Sequence, residues 1–375
     1  MNIAIHKVNS CFLILCISIN LGIAQINTFY IGHSLSDQIG EMVKSMSDQQ
    51  AGTQFTFGYQ SIPGAPLRWQ WDRKTAQDYS ALPPYLYPFY DVNDGLASGD
   101  YDQLVLTESV PRQLANDWGI SETYRYADSF YTYAVQHSPN IKVFFYEVWH
   151  CVQSGTPTGC AYDTDSNPWR QRLDDDLPMW ESVVSYLNNK YSPRIRVCMI
   201  PGGQGLARLH DEIVAGTVPG ITSISQLFSD DIHLTDQGKY FIACIHFATL
   251  HQRSPVGLPR QLQSIWGSNF NAPTQAQAQR FQEIAWETII NYDKNCLSIL
   301  SSNEDEHKTE LKIYPNPTSN IITLEYEGTD QLVKVFNISG QQMMQIQSKQ
   351  LDLSQFPKGL YFVKVNGQFQ KIIKY

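Results

Sequence analysis

The sequence predicts an α/β protein with an all-β unit behind it. Residues 25–300 read as a doubly wound parallel sheet, 301–310 as a linker, and 311–375 as a small antiparallel β-sandwich. Three observations predict this. Through the first 300 residues, short and almost wholly apolar runs alternate with amphipathic stretches, the rhythm of buried parallel strands and covering helices. A charged stretch without apolar period (301–310, SSNEDEHKTE) then interrupts that rhythm. Beyond it, runs of alternating polarity are separated by Pro and Gly turns.

The elements follow in order. The expected strands are 26–31 (INTFYI), 54–59 (QFTFGY), 103–106 (QLVL), 143–146 (VFFY) and 194–200 (RIRVCMI). Ile39, Met42, Val43 and Met46 recur at helical spacing, and further helical patterns cover 122–136, 170–188 and 236–252. On a doubly wound sheet, ligands bind beyond the carboxyl ends of the strands, so chemistry is sought in the residues following each strand. In the tail, the expected strands are 321–326, 332–337, 360–365 and 369–373.

Composition narrows the class. Hydrophobic residues at 42% supply a core, and the net charge of -9 excludes a sequence-independent grip on nucleic acid or docking to anionic lipid. The first 24 residues read as a cleavable leader. Lys7 precedes the apolar run 11–19, and Gly22 and Ala24 occupy the -3 and -1 positions of a cut before Gln25. A lipoprotein signal does not fit, because Leu15 precedes Cys16. No other segment is long enough to span a bilayer. Export makes a local Cys151–Cys160 disulfide the expectation, across the loop VQSGTPTG. Cys198 and Cys244 fall in apolar runs and read as core residues; the pairing of Cys198, Cys244 and Cys296 stays open.

Two short blocks carry chemistry. Gly32-His33-Ser34-Leu35 directly follows the first strand, where a serine hydroxyl reaches the sheet's carboxyl edge and a helix N-terminus offers free N–H groups. Alone, such a serine is ordinarily a helix cap. Asp230-Asp231-Ile232-His233 precedes the last helix of the domain; an Asp three residues before a His can accept its Nδ1–H and leave Nε2 free as a base.

With both blocks in order, residues 26–252 resemble the SGNH/GDSL hydrolases, with His33 in place of the usual Asp. The resemblance implies a flavodoxin-like doubly wound sheet and an esterase without cofactor or metal. It assigns Ser34 as nucleophile, His233 as base and then acid, and Asp230, rather than Asp231, as orienting carboxylate. For the oxyanion it implies the Ser34 N–H and a glycine N–H, which Gly64 in Ile62-Pro63-Gly64-Ala65 matches; an ordinary Pro-Gly turn is the alternative. The family's Asn after the third strand is absent from Thr107-Glu108-Ser109. Ser109 or Thr107 is a substitute donor, while Glu108 either holds another side chain or binds a substrate hydroxyl. Glu147 and Trp149 after the fourth strand, and Gln204 after the fifth, are further substrate-binding candidates. So are Trp69 and Trp71 in the aromatic-rich loop 62–90, which is equally readable as a packed flap. No H-x-x-x-H pair or phosphate-binding loop is present, so metal chemistry is not expected.

The tail resembles the C-terminal sorting domain of type IX secretion. The matching residues are Tyr314-Pro315-Asn316-Pro317, Asn337-x-x-Gly340, Asp352-Leu353-Ser354, Gly359-Leu360-Tyr361 and the basic ending Lys371 to Lys374. This implies the type IX machinery as a partner and a secreted or cell-surface location. The expected substrate is an acetylated polysaccharide or oligosaccharide. The alternatives are a lipid or aryl esterase, with 83–90 (PPYLYPFY) as lid, a non-catalytic glycan-binding protein on a degenerate hydrolase fold, and a structural surface protein.

Overall fold

The first domain is built on five strands: β1 (Ala24–Gly32), β2 (Thr53–Ser61), β3 (Gln103–Thr107), β4 (Lys142–Glu147) and β5 (Val197–Pro201). They form one parallel sheet in the order β2-β1-β3-β4-β5. This is the flavodoxin-like order, whose topological switch point lies between β1 and β3. The computed structural model describes residues 24–50, 52–72, 86–110, 120–153, 165–191, 196–297, 311–326, 331–338, 341–365 and 368–375. Residues 1–23 of the expected leader and the linker 301–310 fall outside these, while Ala24, the leader's last expected residue, opens β1.

Seven helices cover the sheet among the described residues. They are α1 (Ile39–Asp48), α2 (Leu67–Asp72), α3 (Ile120–His137), α4 (Trp169–Tyr191), α5 (Gly202–Val214), α6 (Asp236–His251) and α7 (Gln275–Asn291). Helices α2, α3 and α4 pack in one series and α1, α6 and α7 in another, with α5 in contact with both α4 and α7. Right-handed crossovers require such a split, because the chain runs outward from β1 in both directions. The apolar stripe of α1 is fully buried, with Ile39, Met42, Val43 and Met46 at 0% exposure. Each such side chain contributes about 1.5–3 kcal/mol of burial. Helix α6 is buried on nearly every face, because it packs against α1, α7 and the sheet.

Helices α2, α5 and α7 are not among the sequence expectations. The reason is clearest at α5, which opens on Gly202-Gly203, a pair that reads as a turn. Here glycine answers to close packing. A Cβ on Gly203 would come within 2.8 Å of Glu147 Oε1, so only glycine lets the first turn of α5 approach the end of β4.

The tail holds two antiparallel sheets. One joins β6 (Lys312–Tyr314), β7 (Ile321–Glu325) and β10 (Gln350–Asp352) in the order β10-β7-β6. The other joins β8 (Val333–Asn337), β9 (Gln342–Ile346), β11 (Gly359–Val365) and β12 (Gln368–Lys374) in the order β12-β11-β8-β9. Alternating residues of β7, β8 and β11 face a core of their own, including Ile322, Leu324, Val335 and Val363. No helix among the described residues is long and apolar enough to cross a membrane.

Candidate active site

β1 delivers Ser34 to the switch point. The chain leaves the strand through His33, whose extended backbone caps a single 3-10 turn, Ser34–Ser36. Helix α1 starts only at Ile39, so the serine sits on this short turn and not, as expected, at the N-terminus of the long helix. The turn is held from below. His33 Nδ1 accepts the Leu35 N–H at 3.4 Å, and His33 Nε2 donates to the Glu108 carbonyl at 3.1 Å. Tyr59 donates to the His33 carbonyl at 3.0 Å and also bonds Ser36. Burial lowers the His33 pKa to about 4, so the ring is neutral at ordinary pH. It therefore places no charge beside Ser34.

The second block is a loop closed at its neck. Phe228 and Leu234 form an antiparallel bridge, and Ser229 N–H donates to the His233 carbonyl at 2.8 Å. Inside the loop, Asp230 Oδ1 accepts the main-chain N–H groups of Ile232 (2.8 Å) and His233 (2.7 Å). Its Oδ2 accepts His233 Nδ1–H at 2.7 Å, and Ser34 Oγ donates to His233 Nε2 at 2.9 Å. A carboxylate only accepts, so the proton belongs on Nδ1 and Nε2 is left as the acceptor facing Ser34 Oγ. Partial burial pushes the Asp230 carboxyl upward; the main-chain N–H donors and the imidazole outweigh it and hold the group below its usual value. Asp231 contributes only its carbonyl, to Val152 N–H at 2.8 Å.

That last bond belongs to an outer brace. Trp149, expected at the substrate, is 1% exposed, and its Nε1 donates to the Ile232 carbonyl at 2.8 Å. It ties the middle of the Asp230–His233 loop to the end of β4. Nothing local in the sequence marks this role, since the partners are 83 residues apart.

Other expected contacts are also redirected. Glu108 is 0% exposed. Its carboxylate accepts Leu67 N–H (3.1 Å), Ser109 N–H (2.8 Å) and Thr123 Oγ1–H (2.8 Å). It is a tie between β3, α2 and α3, not a ligand for a substrate hydroxyl. Ser109 keeps its hydroxyl 3.4 Å from that carboxylate, and Thr107 is wholly buried. Glu147 is also buried, and burial raises its pKa to about 8. It accepts Gln204 N–H at 3.0 Å and Gln204 Nε2–H at 3.1 Å, so the pair caps α5 rather than facing a ligand. Trp71 stacks on Phe89 at 5.1 Å and meets Phe130 edge-on. The described part of the aromatic loop is thus a packed flap; Trp69 on the same helix is half-buried. Gly64 occupies the third position of a turn closed by Ala65 N–H to the Ile62 carbonyl, at φ +65°, where other residues are strained.

A cavity of about 810 Å³ lies against the segments that follow Ser34 and His233. Ser36 and Asp37 follow Ser34 into its wall, Pro63 precedes Gly64 there, and Asp236 and Lys239 enter from the start of α6. Trp266, on a hairpin between α6 and α7 that sequence reasoning did not single out, lines it too. Cys198 pairs with Cys296, and Cys244 is free and buried. Cys151 is disulfide-bonded; its expected partner Cys160 lies outside the described residues.

Residues 312–375 match the family model described as a secretion system C-terminal sorting domain. The chain is therefore marked for type IX export to the cell surface or extracellular space. No curated protein sequence matches the chain. Among solved structures, a DUF4886 family protein from Bacteroides uniformis is similar at 14% identity and a TM-score of 0.46, over 71% of this chain and 95% of that one. A carbohydrate esterase family 3 protein from Talaromyces cellulolyticus is similar at 12% and 0.36, over 60% and 97%. A family two carbohydrate esterase from Clostridium thermocellum, in complex with cellohexaose, is similar at 11% and 0.35, over 60% and 64%. Overlaps this loose transfer no function.

Proposed function

We propose that this chain is a serine esterase that removes acyl groups, acetyl foremost, from carbohydrate outside the cell. The observation that carries the reading is the unbroken hydrogen-bond chain from Ser34 Oγ through His233 to Asp230. Ser34 Oγ attacks the ester carbonyl as its proton passes to His233 Nε2. The oxyanion that forms is met by the Ser34 and Gly64 N–H groups. Collapse expels the sugar alcohol, which takes the proton from His233. Water then attacks the acyl-enzyme with His233 again as base, releasing the carboxylic acid and Ser34. Asp230 stays ionised throughout and stabilises the imidazolium.

The carbohydrate half of the reading has its own support. The sorting tail directs the site to where polysaccharides are met. His233 and Asp230 side chains are 41% and 56% exposed, so the site is open to a polymer. For a lipid esterase, an exposed apolar lid is wanted. The described residues of that segment include Phe89, which is 1% exposed in the core. The test is hydrolysis of 4-nitrophenyl acetate and acetylated xylan by the full chain beside Ser34→Ala. Turnover is expected to fall by about a thousandfold or more in the variant. Equal turnover in the two proteins would remove Ser34 as nucleophile, and no turnover in either would leave the non-catalytic glycan-binding reading.

A further inference from the structure

We propose that the cavity between the start of α1 and the 262–270 hairpin is a subsite for a neutral, hydroxyl-rich sugar residue, with Trp266 as its stacking platform. For where the ester lies, this rests on the esterase reading above; the sugar affinity itself does not. Its wall takes in Asp37, three residues after Ser34, and Asp236, three after His233, while Ser34 and His233 themselves do not line it.

Trp266 is 66% exposed, whereas Trp149, Trp169 and Trp180 are buried. An indole left in water at a cavity rim presents a flat apolar face, to which the C–H face of a pyranose is complementary. The main chain that carries it is tied down. Its hairpin closes through Ser264 N–H to Ser268 O (2.8 Å) and Phe270 N–H to Leu262 O (3.0 Å). The hairpin is pinned to α1 by Ile265 N–H to Glu41 Oε2 (3.0 Å) and Gln263 N–H to Ser45 Oγ (3.0 Å). A platform ordered before binding costs little further entropy when a ring settles on it.

The polar wall selects the ligand's charge. Asp37, Glu41 and Asp236 bring three carboxyl groups to the cavity against the single ammonium of Lys239. Glu41 is 5% exposed and taken up by the hairpin, so among the described residues Asp37 and the second oxygen of Asp236 are the acceptors left to meet sugar hydroxyls, and a neutral sugar is matched. A uronate or phosphosugar meets like charge and is rejected.

The experiment is calorimetric titration of the full chain with xylohexaose, mannohexaose, cellohexaose and hexagalacturonate. At least one neutral hexamer is expected to bind and hexagalacturonate is not. Trp266→Ala is expected to weaken the neutral hexamer by about tenfold or more, with Trp266→Tyr retaining most of the affinity. An unchanged thermal midpoint in both variants shows that the fold is intact, as an exposed position requires. No affinity for any neutral hexamer, unchanged affinity in Trp266→Ala, or equal binding of hexagalacturonate overturns the proposal. These hexamers carry no ester, so the measurement is blind to turnover. Lost sugar binding with ester hydrolysis intact removes the subsite alone; intact sugar binding without hydrolysis removes the esterase reading alone.

Discussion

At Asp230 one carboxylate performs two tasks with its two oxygens. Oδ1 folds the loop through the Ile232 and His233 N–H groups, while Oδ2 sets the imidazole tautomer. Asp230→Asn can keep the first task, since its carbonyl oxygen still accepts, but it loses the charge that favours Nδ1–H. The expected outcome is a kcat for 4-nitrophenyl acetate lower by about 10⁴-fold with a near-native melting profile. A loss smaller than about tenfold would show that Asp230 is only a loop-folding residue. His33 illustrates the opposite economy. A neutral ring caps the nucleophile turn and reaches β3 at once, which a short aspartate side chain at that position would not do.

At the scale of elements, the active site is two short turns braced by neighbouring strand ends. The turn after β1 rests on β3 through the Glu108 carbonyl, and the catalytic loop rests on the β4–α4 connection through Trp149 and Val152. Trp149→Phe preserves most of the buried ring but removes the donor to the Ile232 carbonyl. A neutral hydrogen bond of this kind contributes about 0.5–1.5 kcal/mol to stability. The catalytic consequence is expected to be larger, because small misplacements of a base are costly. We expect kcat to fall by about tenfold with KM little changed. If instead KM rises and kcat holds, Trp149 touches substrate and does not position the loop.

At the scale of the molecule, buried ionisable groups set the response to pH. Burial holds His33 near 4 and His246 near 3, and burial together with Arg253 holds His251 near 4. Each folded pKa lies below the unfolded value of about 6.5, so the unfolded chain binds more protons in that window and stability falls as pH drops through it. Glu147 has the opposite sign. Its folded pKa of about 8 exceeds the unfolded value, so its contribution is present at low pH and is lost as pH rises toward 8. The two limbs predict a thermal midpoint that peaks at about pH 7. Glu147→Gln should move that maximum to higher pH while leaving the acid limb in place. A wild-type midpoint that still climbs beyond about pH 8 would contradict the assignment.

How much of this was legible beforehand follows from the range of the contacts. The strand rhythm, the sorting tail and the Ser34, Asp230 and His233 constellation could be read directly. Strand periodicity spans a few residues, and the Asp–His geometry is set within a four-residue turn. Which strand-end residues meet a ligand was decided only in three dimensions. Glu108 and Trp149 stand where substrate contacts are expected, yet Glu108 is claimed by Leu67, 41 residues away, and Trp149 by Ile232, 83 away. Trp266 went unnoticed for the same reason: its exposure depends on α1 pinning a distant hairpin. Local sequence determines where a side chain emerges from the sheet. Tertiary packing determines whether it finds protein or open space there, because a buried polar group must be satisfied by whichever partner the fold brings to it.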